Sequence, residues 1–204
     1  MNMIGTHVKL QEAIRKLETR SKQGESYSDG KGSYGWRNPI RSDTGPLLAS
    51  QVASCNPKLM LEVGTGHGLS ALYLLSGLRT MEGCRLDTVE FDVDTARQAQ
   101  DLFDDLNVPV AVHCGEAMEV IQQRLSGPYE LVFLDAQKSH YGRQLRALME
   151  GARIAPGCVV LVDNVIDRRV ECTDLFNFLE TKGIAHHILP TQCGLLLAEL
   201  NEGG

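Results

Sequence analysis

The sequence predicts an α/β protein: a three-layer, doubly wound, mostly parallel sheet closed by an antiparallel hairpin. Three observations predict it. From Leu59 onward, short apolar runs alternate with helical patterns, the pattern of parallel βαβ units with right-handed crossovers. The first apolar run passes directly into a turn with glycines at alternate positions, Gly64, Gly66 and Gly68. The last two strand-like runs are separated only by Pro190-Thr191-Gln192-Cys193, too short for a crossover, so they must pair antiparallel.

The elements follow in order. Val8, Ile14 and Leu17 recur among charges over 7–20, which predicts an amphipathic helix. Residues 21–35 are polar and rich in Gly and Ser, a loop by composition that suits a linker or a lid. A second helix is expected over about 44–54, with Asp43 or Thr44 as its cap. Five strands are expected at 59–63, 86–91, 110–114, 131–134 and 159–162. Helical patterns at 69–78, 93–106, 117–125 and 141–151 separate them, and one more lies at 173–182. Near-continuous apolar strands fit a sheet covered on both faces. The hairpin runs, 185–189 and 194–200, bring the sheet to seven strands.

The 204 residues suit one domain with a full core, residues 1–43 forming an extension of helix and loop. A net charge of −6 argues against a broad phosphate-binding surface, and so against nucleic acid as a partner. No apolar run reaches the roughly 20 residues that span a bilayer. The amphipathic N-terminus is not a signal peptide. Six cysteines show neither CxxC nor zinc spacing, so a reduced, cytoplasmic protein is expected. The N-terminal segment and the edge hairpin are candidate surfaces for a homodimer.

Ligands of open α/β sheets bind beyond the carboxyl ends of the strands. Glu62 is the one charge in the first strand, and burying it is costly unless it faces a cavity or finds donors. The turn after it reads Gly-x-Gly-x-Gly, which is not the Gly-x-Gly-x-x-Gly of dinucleotide folds. Glu90, ending the second strand, can accept both ribose hydroxyls of a nucleoside, or it is an ordinary strand-end charge. Asp135, Asp163 and Asn164 end the fourth and fifth strands. Together they make a hard-oxygen set suited to Mg²⁺ or another divalent cation; taken separately they are caps and turn formers. Lys138 becomes a base near neutral pH only through burial or a nearby cation, and is otherwise a solvated lysine. Trp36 is either a pocket wall or a core anchor. The six histidines show no ligand spacing, and the adjacent His186 and His187 are expected on opposite faces of a strand.

Taken jointly and in order, these motifs resemble those of class I S-adenosylmethionine-dependent methyltransferases. The resemblance is narrower to the metal-dependent O-methyltransferases of the catechol and caffeoyl-coenzyme A type, which have a Rossmann-like fold. It runs from about Trp36 to Ile166. LEVGTGHGLSAL resembles the family's first motif and implies that Glu62, Gly64, Gly66, Gly68 and Ser70 surround the methionine part of S-adenosyl-L-methionine. VEFD implies Glu90 on the ribose and Phe91 beside the adenine; CGEA brings Gly115 and Ala117 to the adenine side. VFLDAQKSHY implies Asp135 as first metal ligand, at the edge of the cofactor, and Lys138 as catalytic base. LVDNVI supplies Asp163 and Asn164 as the other ligands. WRNPIRSDTG is similar to a segment in which Ile40 approaches the methionine end and Trp36 borders the acceptor, as Lys138 and Asn164 do. Two departures stand out. Gln137 occupies a position that holds an acid or a tryptophan in the family, and no acceptor-binding acid is recognisable near the C-terminus.

The resemblance implies an O-methyltransferase that uses S-adenosyl-L-methionine and Mg²⁺ on a small hydroxylated molecule with vicinal hydroxyls. Two rival expectations stand beside it: the same machinery acting on a hydroxylated tRNA nucleoside, and a nucleotide-binding or dehydrogenase domain that transfers no methyl group.

Overall fold

The computed structural model describes residues 3–22 and 39–200. Its chain order is α1 (Met3–Lys22), α2 (Thr44–Cys55), β1 (Leu59–Val63), α3 (Leu69–Ser76), β2 (Arg85–Glu90), α4 (Val93–Leu106), β3 (Val110–Cys114) and α5 (Ala117–Gln123). There follow β4 (Tyr129–Leu134), a 3₁₀ turn (Lys138–His140), α6 (Tyr141–Glu150), β5 (Ile154–Val162), α7 (Thr173–Thr181), β6 (His186–Leu189) and β7 (Leu195–Leu200). The seven strands form one sheet in the order β3-β2-β1-β4-β5-β7-β6. The first five are parallel, and β7 lies antiparallel between β5 and β6. The expected seven-stranded mixed α/β sheet is therefore present.

Alternation along each strand divides the core in two. Met60, Leu131 and Phe133 face a cluster with α1 to α4, whereas Leu61, Val63, Val132 and Leu134 face α5, α6 and α7. A fully buried Leu or Phe contributes about 1.5–3 kcal/mol, so a one-residue register slip would turn every such contribution to the wrong face. The topology reverses between β1 and β4. That crevice, where crossovers leave in opposite directions, is where the site lies.

Several boundaries differ from expectation. β4 begins at Tyr129 and β5 at Ile154, both earlier than their apolar runs, because edge pairing continues past a register shift between Tyr129 and Leu131. Asp43 does not cap α2 with its side chain. Its carboxylate instead accepts a hydrogen bond from the Gln192 N–H at 2.7 Å, tying the segment before α2 to the hairpin turn. Residues 21 and 22 extend α1. The rest of the Gly/Ser-rich run, with Trp36, lies outside the described residues. His186 packs its ring on Phe176, while His187 is exposed. All six cysteines are free. No described helix is long and apolar enough to cross a membrane.

One buried polar cluster was not legible in the sequence. Asp87, in the middle of β2, accepts from Arg85 Nε, from the Tyr129 hydroxyl at 3.0 Å and pairs with His113 Nε2 at 2.8 Å. Burial pushes its carboxyl up, but His113, Arg85 and Tyr129 outweigh that and hold it below the usual range. Arg85 is half-exposed and contributes little; the buried Tyr129 is left without its acceptor if Asp87 is lost. Asp87→Ala is expected to cost about 3–5 kcal/mol in urea unfolding at neutral pH. Because the folded value is depressed, this contribution is present above the unfolded carboxylate value and lost as pH falls through the folded one. The gap between variant and wild type should therefore narrow in acid.

Candidate active site

Each glycine of the turn after β1 has its own reason. Gly64 has φ +108°, and a Cβ there would collide with the backbone carbonyl of Asp135, so β1 and β4 can approach only with glycine. Gly66 has φ +50° and open space where its Cβ would stand; its N–H donates to Glu90 Oε2 at 2.9 Å. Gly68, at the start of α3, has φ +85° and packs against Phe103 rather than facing the cavity. One glycine permits packing of the sheet, one bares the backbone, and one seats a helix.

The turn opens on a cavity of about 560 Å³ along the carboxyl edge of the sheet. Gly64, Gly66 and Ser70 line it from the turn, Glu90 and Phe91 from the end of β2, and Gly115 and Ala117 from the end of β3. Asp135 and Lys138 close it beyond β4, and Ile40 covers it from the segment before α2. Glu90 is buried, and its other oxygen accepts from the Asp92 N–H at 2.9 Å. Phe91 is 70% exposed, an apolar ring left facing the cavity. Asp92 and Glu116 cap α4 and α5 with their side chains, fixing both helix starts at this rim.

Glu62 and Gly68 do not line the cavity. Glu62 lies in the floor, fully buried, in a polar chain running Thr65–Thr88–Glu62. Its Oε1 has no hydrogen-bond partner among the described residues. Burial pushes its carboxyl up to about 8, more than the Ser70 and Thr88 hydroxyls pull it down. The folded value exceeds the unfolded one, so the proton on Glu62 stabilises the fold in acid and that contribution is lost as pH rises toward about 8. Glu62→Gln, which mimics the protonated acid, should flatten this slope. Urea unfolding from pH 5 to 8.5 checks it: the variant gains on the wild type as pH rises.

A second hollow of about 300 Å³ adjoins the first. Pro39, Ala136, Gln137 and Lys138 line both, and Asp163 and Asn164 line the second alone. Lys138 Nζ donates to Asp135 Oδ1 at 2.9 Å and lies 5.7 Å from the centre of the Tyr141 ring. Burial raises the Asp135 carboxyl against the pull of Lys138. Burial and then the charge of Asp135 raise that of Asp163. Asp163 Oδ1 is buried with no hydrogen-bond partner among the described residues, and Asn164 adopts φ +65°. A buried carboxylate with an orphaned oxygen and a largely buried one that repels it fit a divalent cation. Among the described residues no group of three or more His, Cys, Asp or Glu side chains is placed to hold a metal; this set has two carboxylates and an amide.

Sequence reasoning missed three features here. Gln144 lines the larger cavity from α6, buried, with its Oε1 unpartnered. Thr88 meets Glu62 only because β1 and β2 pair in that register. Arg41 lines the second hollow from the segment before α2. Only Thr88 had a usable signal, a hydroxyl two residues before Glu90 and so on the same face of its strand.

A seven-stranded sheet of this order, with a glycine turn and an acid at the next strand end, is the architecture of the class I methyltransferase fold. Residues 61–165 match the methyltransferase-domain family, and the chain belongs to it, on the side of the catechol and caffeoyl-coenzyme A O-methyltransferases. The catechol O-methyltransferase of Niastella koreensis is 30% identical over 132 residues, 62% of this chain and 58% of that protein. That of Mus musculus is 27% identical over 205 residues, 88% of this chain and 76% of that protein. The chain thus spans little more than half the length of the first curated relatives it matches. The crystal structure of the O-methyltransferase from Bacillus cereus in complex with S-adenosylhomocysteine covers 97% of this chain and 91% of its own at a TM-score of 0.70, with 20% identity. That likeness supports the fold.

Proposed function

We propose that this chain is an S-adenosyl-L-methionine- and Mg²⁺-dependent O-methyltransferase acting on a small molecule with vicinal hydroxyls. Residues 1–204 would act as one methyltransferase domain, with 1–43 as its extension, in the cytoplasm. The observation that carries the reading is the position of Lys138. It lines both the larger cavity and the adjoining hollow, 2.9 Å from Asp135 and beside the Asp163–Asn164 pair. A cofactor on one side and an acceptor on the other would meet across it. The relatives support the class of reaction, and the bound S-adenosylhomocysteine of the Bacillus cereus protein supports the choice of cofactor.

When bound, S-adenosyl-L-methionine supplies an electrophilic methyl group, and a divalent cation lowers the pKa of a diol hydroxyl. The chain's own residues do the rest. Glu90 holds the ribose hydroxyls, and the bared backbone at Gly66 allows close approach. Phe91 and Ala117 enclose the adenine, with the Gln144 amide within the same cavity. Asp135, Asp163 and Asn164 hold the cation, and Asn164 borders the acceptor, as Trp36 does by resemblance. Lys138, once released from Asp135, would take the hydroxyl proton. Donor and acceptor in the two adjoining hollows would lie side by side, as in-line transfer needs.

The test is a screen with methyl-labelled cofactor, with and without Mg²⁺, across catechols, hydroxycinnamoyl thioesters and hydroxylated nucleosides. Magnesium-dependent labelling of a diol is expected. Labelling of the nucleosides alone would favour the tRNA reading, against which the net charge of −6 counts. Calorimetric preference for NAD over S-adenosylhomocysteine would defeat methyl transfer altogether.

A further inference from the structure

Gln144 interrupts an apolar helix face. α6 buries Tyr141, Leu145 and Leu148 in the core, and the helical spacing places Gln144 on the same side. It is 1% exposed. Leucine would pack there at no polar cost, whereas a buried amide gives up its bonds to water and must replace them. Gln144 does not replace them all: its Oε1 has no hydrogen-bond partner among the described residues. The residue nevertheless lines the larger cavity. Among the described residues, four buried polar side chains border that cavity: Thr65, Ser70, Glu90 and Gln144. Thr65 bonds Thr88, Ser70 bonds Glu62, and Glu90 accepts from the N–H groups of Gly66 and Asp92. Of the four, Gln144 alone holds an atom still without a partner.

Its place in the cavity selects the partner. With Glu90 on the ribose, the base extends past Phe91 toward Ala117. Ala117 opens α5, and α5 packs against α6. Gln144, near the start of α6, therefore stands at the base and not at the methionine end, which Ile40 covers from the other face of the sheet. Glu116 spends its Oε2 on capping α5, and Gln137 is exposed. Adenine presents an amino donor beside a ring-nitrogen acceptor, and a glutamine amide presents the complementary pair, one acceptor beside one donor.

We propose that Gln144 reads the base of the cofactor: its amide accepts from the 6-amino group of adenine and donates to the ring nitrogen beside it. The inference rests on the S-adenosyl-L-methionine reading and assigns the residue that sets its base specificity. It also accounts for the polar residue in the apolar face of α6, since the orphaned oxygen is answered only when the base is bound.

The experiment is calorimetry on the full chain with S-adenosylhomocysteine and with its analogue lacking the 6-amino group. The wild type is expected to favour S-adenosylhomocysteine by about 10–100-fold, the range set by leaving a buried amide oxygen unpaired. In Gln144→Met, close in length but without the amide, the preference should fall toward unity through weaker binding of S-adenosylhomocysteine. Without ligand, the melting temperatures of Gln144→Met and Gln144→Leu should match or exceed that of the wild type, because an unpaired buried amide has been removed. Equal binding of the two compounds by the wild type, or a preference that survives Gln144→Met, overturns the inference alone. So does a lower ligand-free melting temperature in both variants, which would make the amide a structural group. No binding of S-adenosylhomocysteine by the wild type overturns the methyltransferase reading and the inference with it.

Discussion

Asp163→Ala is expected to lower methyl transfer to an ortho-diol by about a thousandfold or more. Under the proposed function Asp163 is one of three ligands, and removing it would forfeit the several kcal/mol that a bound cation contributes to the transition state. The same loss should appear in wild type on addition of chelator. The variant should still fold. Asp163 is buried, its Oδ1 has no hydrogen-bond partner, and Asp135 repels it. Without metal, then, alanine relieves a cost, and the melting temperature of the metal-free variant should match or exceed that of wild type. Mg²⁺ should raise the melting temperature of the wild type and leave the variant unmoved, since only a state that binds the ion gains from it. Full activity in chelator would sink the metal assignment and leave the fold and family untouched.

Lys138→Met should lower kcat by about 10²–10⁴-fold, the usual span for loss of a general base, with little change in affinity for S-adenosylhomocysteine. The side chain is largely buried between the two cavities, and its one ion pair among the described residues is to Asp135. A lysine that only neutralised Asp135 would alter stability and metal affinity but not the pH profile. A lysine that takes the proton leaves a different signature. In the variant the rate should climb steadily with pH as hydroxide replaces the amine, and the wild type should level off. Retention of most of kcat, or an unchanged profile, would remove the base assignment while the metal assignment stood.

Much of the fold was legible because it rests on short-range rules. The apolar runs at Leu59, Val110 and Leu131 and the helical periods between them are local signals, and the glycine turn marks where a strand must give way to a helix. The candidate site followed from the same edge. Once the strands are parallel, their carboxyl ends lie together, so Glu90, Gly115, Asp135 and Asp163 had to gather on one rim. What failed to show were pairings across the sheet and contacts between distant loops. Asp43 reads as a helix cap and instead binds Gln192. Gly68 reads as cofactor cradle and packs on Phe103. Both follow from where remote side chains arrive, which local pattern does not encode.

The sequence by itself determined the α/β class, the seven strands with their antiparallel hairpin, and which polar residues end the strands at the carboxyl edge. Each depends on period, turn chemistry or residue type within a short window. Only the tertiary structure decided that Glu62 lies in the floor with a raised carboxyl rather than in the cavity wall, that Lys138 stands between two cavities, and that Asp87 is answered by His113 and Tyr129. Burial and electrostatic pairing are properties of neighbours in space, and they exist only once strand register and loop packing have set who those neighbours are.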